Sequence, residues 1–233
     1  MISSILLQAQ LSGQEQLVDT AETMPTHETL SLISLALKGG VVMIPLAILL
    51  IVAIYIFFER YFAIRRASND ETNFMNNIRD FIYEGRIDSA KALCKNNVSP
   101  IAKMIAKGVV RIGRPLNDIN AAIENIGKLE VAKLEKNIAF LSTVAGAAPM
   151  LGFLGTVIGM VRAFYNMAMA GNNIDISLLA GGIYEAMITT IAGLTVGIIA
   201  FICYNILVAR IEKVIYIMEA RATEFMDLLH EPA

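Results

Sequence analysis

Three stretches of this chain run without a charged residue for 18, 24 and 24 positions: Val41 to Phe58, Ile138 to Val161 and Ala186 to Ala209. Each is long enough as a helix to cross a hydrocarbon layer of roughly 30 Å. Lipid offers no partner for an open N–H or C=O, so such runs are expected to be helical. Composition agrees: 56% of the residues are hydrophobic and 17% charged, with a mean hydropathy of +0.59. A water-soluble single domain is excluded.

The inventory for chemistry is thin. There are two histidines, His27 and His230, two cysteines, Cys94 and Cys203, and no tryptophan. No nucleotide loop, HExxH or Ser/His/Asp set is present, so neither an enzyme nor a metal or cofactor site is expected. The net charge of −2 gives no reason to expect nucleic acid. Both cysteines read as small apolar packing residues rather than a disulfide.

Lys and Arg are distributed unevenly. Met1 to Leu37 has none, Arg65 to Lys136 has thirteen, Ala168 to Gly182 has none, and the tail after Ala209 has three. By the positive-inside tendency, the N-terminus and the link between the second and third runs lie outside, with the middle region and C-terminus in the cytoplasm. Met1 to Ala9 lacks a positive n-region, so no cleaved signal peptide is expected.

The expected fold is an all-α integral membrane protein with three transmembrane helices. The second and third form a long antiparallel hairpin that extends into a cytoplasmic helical domain. The segments are an external N-terminal region over 1–37, transmembrane helix 1 over 38–62 and a cytoplasmic helical subdomain over 63–116. A long helix containing transmembrane helix 2 follows over 117–168, then an external loop over 169–176, transmembrane helix 3 over 177–209 and a cytoplasmic C-terminal helix over 210–233. The N-terminal extension reads either as disordered or as carrying an amphipathic segment on the outer face around Leu30 to Leu37.

Local signals support this layout. Phe74, Ile78, Phe81 and Ile82 make one apolar face that Gly85 ends, and a short helix runs from Asp88 towards Lys95. Ser99-Pro100 starts a helix that continues to Gly113. Asn117 or Asp118 can cap the next, which runs without interruption into the second span. Beyond Ala209, residues Ile211, Ile215, Met218, Ala222, Phe225 and Leu229 alternate steps of four and three, the stripe of a helix packed on another helix. Pro45 falls in the first turn of span one, whereas Pro149 lies inside span two and should bend it or free a carbonyl.

Spans two and three differ from the Ile, Leu, Val and Phe of span one. Span two repeats Ala145, Ala148, Gly152, Gly155, Thr156 and Gly159 at helical spacing, and span three carries Gly182, Thr189, Ala192, Gly193, Val196 and Gly197. Small faces of this kind let helices approach closely. Glu185 is an intramembrane carboxylate, which must face protein or water. Counted from the external ends, Thr156 and Thr190 each lie about 18 Å deep, Arg162 about 9 Å and Glu185 about 10 Å. Arg162 can pair with Glu185 or turn to the headgroups. Hydroxyls and one carboxylate suit protons or small cations, not a large substrate. Two such helices cannot enclose a path alone, so an ion pathway implies several copies or a partner's helix.

Ala148 to Phe164, APMLGFLGTVIGMVRAF, followed by Gly181 to Gly193, GGIYEAMITTIAG, and then Tyr204-Asn205, resembles the paired-span signature of the MotA/TolQ/ExbB proton-channel family. Gly85 to Val109 resembles the family's cytoplasmic segment. Three spans and an external N-terminus are similar to ExbB and TolQ, and unlike the four-span MotA, with the N-terminal extension leaning towards ExbB.

This resemblance implies a homopentamer in the bacterial inner membrane whose second and third spans line a pore. Inside it would sit the single transmembrane helices of an ExbD-like partner, expected as a dimer. Proton flow would drive motion passed to a TonB-like protein and on to outer-membrane transport. Thr156, Glu185 and Thr190 fall on the family's pore and proton-path positions. Ala148, Pro149, Gly152, Gly155, Gly159, Gly193 and Gly197 would form the pore wall and its packing. Arg162 departs from what a cation path suggests unless it is paired. Alternatives are a TolQ-like envelope-maintenance motor, a sodium-driven motor of the same family, or a non-conducting scaffold in which Glu185 pairs with Arg162. A substrate carrier would call for inverted repeats, which are lacking.

Overall fold

A computed structural model describes residues 39–68, 72–169 and 176–230. The N-terminal segment, including the expected outer-face stretch Leu30 to Leu37, and the core of the link between spans two and three lie outside the described residues. Seven helices and no strand occur among the described residues: α1 (Met43–Ala67), α2 (Thr72–Tyr83), α3 (Ile87–Asn96), α4 (Pro100–Val109), α5 (Leu116–Glu135), α6 (Ile138–Met169) and α7 (Ile176–His230). Three helical stretches, α1, the α5/α6 region and α7, are long and apolar enough to cross a membrane. The chain is an all-α multi-pass membrane protein.

Helix α1 begins two residues before Pro45, whose missing N–H falls where no intrahelical acceptor exists. Leu46, Ala53, Ile56, Ile64 and Ala67 are buried along one side, against α6 and α7. Ile44, Ile48, Ile51, Tyr55 and Phe58 are left bare on the other, which is no liability in lipid. Towards its C-terminal end α1 is tied twice. Arg60 Nη1 donates to Lys133 O at 3.2 Å, and the Arg210 guanidinium lies 4.3 Å from the centre of the Tyr61 ring.

Helices α3 and α5 pack on α4, and α2 packs on α3 and α7. Ser99 caps α4 by accepting a hydrogen bond from Ala102 N at 3.2 Å, with Pro100 in the first turn. Ile101, Ala102, Met104, Ile105, Gly108 and Val109 of α4 are all buried. At Gly108 the helix presses on α7, where an added Cβ would lie 2.6 Å from Phe225 Cε1. The expected stripe on α7 is present, with its deepest positions at Ile211, Val214, Met218, Phe225 and Leu228. Ile215, Ala222 and Leu229 flank it half-buried.

Three local readings need correction. The α4 helix ends at Val109, and turns carry the chain to Gly113. Pro115, not Asn117 or Asp118, is the cap of α5: its carbonyl accepts from Asp118 N at 2.9 Å, which places Asp118 in the first turn. There the positive end of the helix dipole still favours its carboxylate. Finally, 117–168 is not one uninterrupted helix. Lys136 turns extended (φ −52°, ψ 133°) and Asn137 takes φ 65°, after which Phe140 N restarts the ladder on Asn137 O at 3.2 Å. Asparagine is among the few non-glycine residues that adopt positive φ at low cost, so the break needs neither Gly nor Pro.

Helix α7 has no such break. Its 55 residues make a rod of about 82 Å at 1.5 Å per residue.

Candidate functional site

The small residues of α6 and α7 meet in reversed chain order, so the two helices run antiparallel where they touch. A Cβ on Gly193 would lie 2.6 Å from Ala148 O and 2.7 Å from Gly152 Cα. On Gly152 it would lie 3.0 Å from Thr189 O, on Gly155 2.6 Å from Thr189 Cβ, and on Gly159 2.9 Å from Ala186 Cβ. Gly182 opposes Ala163, and Gly197 opposes the Pro149 ring. Backbone therefore packs on backbone, and any side chain larger than hydrogen at these glycines forces the helices apart. In lipid this close dispersion contact is the main source of helix association, since the hydrophobic effect gives little preference for protein over lipid tails.

Pro149 adds a second effect. Lacking an N–H, it leaves Ala145 O without the donor four residues on. Gly197 covers that carbonyl, and a Cβ there would lie 3.2 Å from Ala145 O.

Two hydroxyls belong to this interface, and a third, that of Thr156, follows Gly155 on α6. Thr190 Oγ1 donates across the interface to Gly152 O at 3.2 Å. Thr189, buried, donates to Ala186 O of its own helix at 2.8 Å. Thr156 donates to Phe153 O at 2.6 Å. Because a hydroxyl has one proton and two acceptor sites, Thr156 and Thr190 do not donate to each other, and both keep lone pairs for an incoming donor or cation.

Nearer the ends of the helices, Arg162 and Glu185 come together, with Nη1 and Oε1 3.6 Å apart. The side chains are 56% and 33% exposed, so the pair sits on the flank of the hairpin rather than in its seam. The Glu185 carboxylate also rests against Gly40, at the turn leading into α1. Gly40 has φ +65°, and a Cβ there would overlap Glu185 Oε1. Next to it, a Cβ on Gly39 would lie 3.2 Å from Ile188 Cγ2. This turn is a part of the site that the sequence reading missed. Its signal was the Gly39-Gly40 pair directly before the first apolar run.

A polar network marks the other end of the spans. Glu130 of α5, 6% exposed, accepts from Lys103 of α4 at 2.9 Å and from Lys133. Burial pushes its carboxyl up, but the hydrogen bonds and charges of Lys133 and Lys103 outweigh that and hold it below the ordinary glutamate range. Cys94 is buried in the helical subdomain, where desolvation pushes its thiol up to about 11. Cys203 is half-buried on α7, and both thiols are free.

Comparison with known proteins agrees with this architecture. The model of the MotA/TolQ/ExbB proton channel family matches residues 96–220, more than half of the chain. The ExbB-like 1 biopolymer transport protein of Synechocystis is 33% identical over 181 residues, 74% of this chain and 69% of that protein. An ExbB homologue of Methanothermobacter thermautotrophicus is 36% identical over 115 residues, 49% of this chain and 40% of that protein. The Tol-Pal system protein TolQ of Haemophilus influenzae is 37% identical over 105 residues, 45% of each. The matched residues hold the α6–α7 interface, both threonines and the Arg162–Glu185 pair, and the chain belongs to the MotA/TolQ/ExbB proton channel family.

Proposed function

We propose that this ion-driven motor subunit is of the ExbB type: a homopentamer in the bacterial inner membrane, N-terminus periplasmic and C-terminus cytoplasmic. Its α6 and α7 wall a pore around the helices of an ExbD-like one-span dimer. Proton flow through the assembly energises a TonB-like protein and so outer-membrane transport. Thr156, Glu185 and Thr190 form this chain's side of the path. Ala148, Pro149, Gly152, Gly155, Gly159, Gly193 and Gly197 hold the wall together.

The observation that carries the reading is the glycine-lined α6–α7 seam with Thr190 bridging to Gly152 O. A seam this tight gives a stiff two-helix stave, and hydroxyls with free lone pairs are what a small cation or an ordered water needs. A carrier for a large solute would need a cavity in their place.

Proteoliposomes holding the chain and its one-span partner test the reading. Partner-dependent acidification of the lumen under an imposed potential is expected, and it should fail in Thr190→Val complexes of normal size. Flux only with a sodium gradient would make it a sodium motor. No flux of either ion from an intact complex would favour a non-conducting scaffold, the reading that the Arg162–Glu185 pair supports on its own. Growth phenotypes that follow envelope integrity rather than nutrient import would assign the TolQ-like role.

A further inference from the structure

An arginine within a membrane span is costly unless its charge is met, and here Glu185 meets it at 3.6 Å. The same carboxylate oxygen also lies against the Gly40 turn, where an added Cβ would overlap it. Glu185 therefore faces a group of opposite charge at ion-pair distance. Thr156 and Thr190 lie about 8 Å farther along the hairpin, by residue count.

We infer that Glu185 serves ion passage by acting as the counter-charge of Arg162. Arg162 is the charge that must be cancelled. The inference rests on the ion-motor reading above and refines the part Glu185 plays in it. If Glu185 is neutralised alone, a bare guanidinium faces every cation approaching the threonine level. Neutralising Arg162 as well removes the barrier.

The test is suppression, measured as partner-dependent proton flux into proteoliposomes with a pH-sensitive dye in the lumen, at equal oligomer content. Glu185→Gln is expected to lower the rate about tenfold or more, the effect of an uncancelled charge a few ångströms from the path. Glu185→Gln combined with Arg162→Gln is expected to restore it to within about threefold of wild type, a difference well under one decade. Arg162→Gln alone is expected to keep the wild-type rate or exceed it. A double variant as inactive as Glu185→Gln overturns the inference, as does a block by Arg162→Gln alone or an unaffected Glu185→Gln. Should that double variant not assemble, Glu185→Gln combined with Arg162→Met takes its place in the same assay.

A thermal-melt double-mutant cycle on the purified complex separates this from the broader reading. Wild type that moves neither protons nor sodium defeats the motor reading and this inference together, and coupling in the cycle would then leave the pair as a latch. Wild type that conducts, with no rescue in the double variant, defeats this inference alone.

Discussion

Gly197 of α7 lies against the ring of Pro149 of α6, so close that a Cβ at 197 would sit 2.6 Å from Pro149 Cγ and 2.8 Å from Cδ. A proline ring cannot rotate out of the way, and the same glycine covers the carbonyl that Pro149 leaves without a donor. Gly197→Ala should therefore destabilise the hairpin by about 1–3 kcal/mol, the usual cost of overpacking a rigid contact. The check is the thermal midpoint of the purified complex. Gly146→Ala is the control, because among the described residues nothing outside its own stretch of helix lies within 4 Å of a Cβ there; a comparable loss at both sites would remove the special role assigned to the Pro149 contact.

Gly155→Leu should separate α6 from α7 altogether. Even the first added carbon would lie 2.6 Å from Thr189 Cβ, and three more follow. Loss of the assembled species in light scattering after size exclusion is expected, with Gly155→Ala weaker but in the same direction. A complex of normal mass from the leucine variant would show that this seam is not closed in the assembly.

Thr190→Val keeps shape and removes one hydrogen bond, that to Gly152 O. Bonds of this kind between membrane helices contribute about 0.6 kcal/mol, so the complex should melt almost as before. Flux should nevertheless be lost, and Thr190→Ser should retain it. If Val conducts like Thr, the hydroxyl is only packing.

Glu130 gives a pH dependence of known sign. Its carboxyl is held below the ordinary glutamate range in the fold, so the contribution it makes is complete above the unfolded value. That contribution fades as pH falls below about 4.3 and through the lowered folded value. Both lysine partners are substantially exposed, which limits the effect to about 1–2 kcal/mol after solvent screening. Glu130→Gln should lower the neutral-pH melting midpoint and flatten its acid limb. A variant whose acid limb matches wild type would assign that limb to other groups.

Cys94 should resist alkylation. With its thiol pushed up to about 11 by burial, almost no thiolate exists near neutral pH, and reagent access is blocked as well. Mass spectrometry after iodoacetamide treatment should find Cys94 unmodified in the folded complex and labelled once it is denatured.

Several of these features were legible in the residues alone because each rests on a local signal. Charge-free length marked the spans, Ser99-Pro100 marked the start of α4, and helical spacing of Gly152, Gly155 and Gly159 marked the α6 face. The interruption at Asn137 was not legible, since asparagine permits positive φ without demanding it and the flanking residues are good helix formers. Nor was the seat of Glu185 against Gly40. That contact joins positions far apart in the chain, and no periodicity within either segment encodes it. The burial of Glu130 was not legible either, because it arises from α4 and α1 packing on α5.

The contrast between a 55-residue unbroken α7 and an α5–α6 arm interrupted at Lys136 and Asn137 has a mechanical consequence. A continuous helix behaves as a shaft: twist or thrust applied at its spanning half arrives at Phe225, in the core of the helical subdomain, with nothing to dissipate it. The other arm contains a universal joint, two residues whose backbone angles can readjust while α5 stays seated on α4. Displacement of the spanning hairpin would thus be geared into the subdomain through α7, while the joint lets α6 move with α7 as one stave without unseating α5.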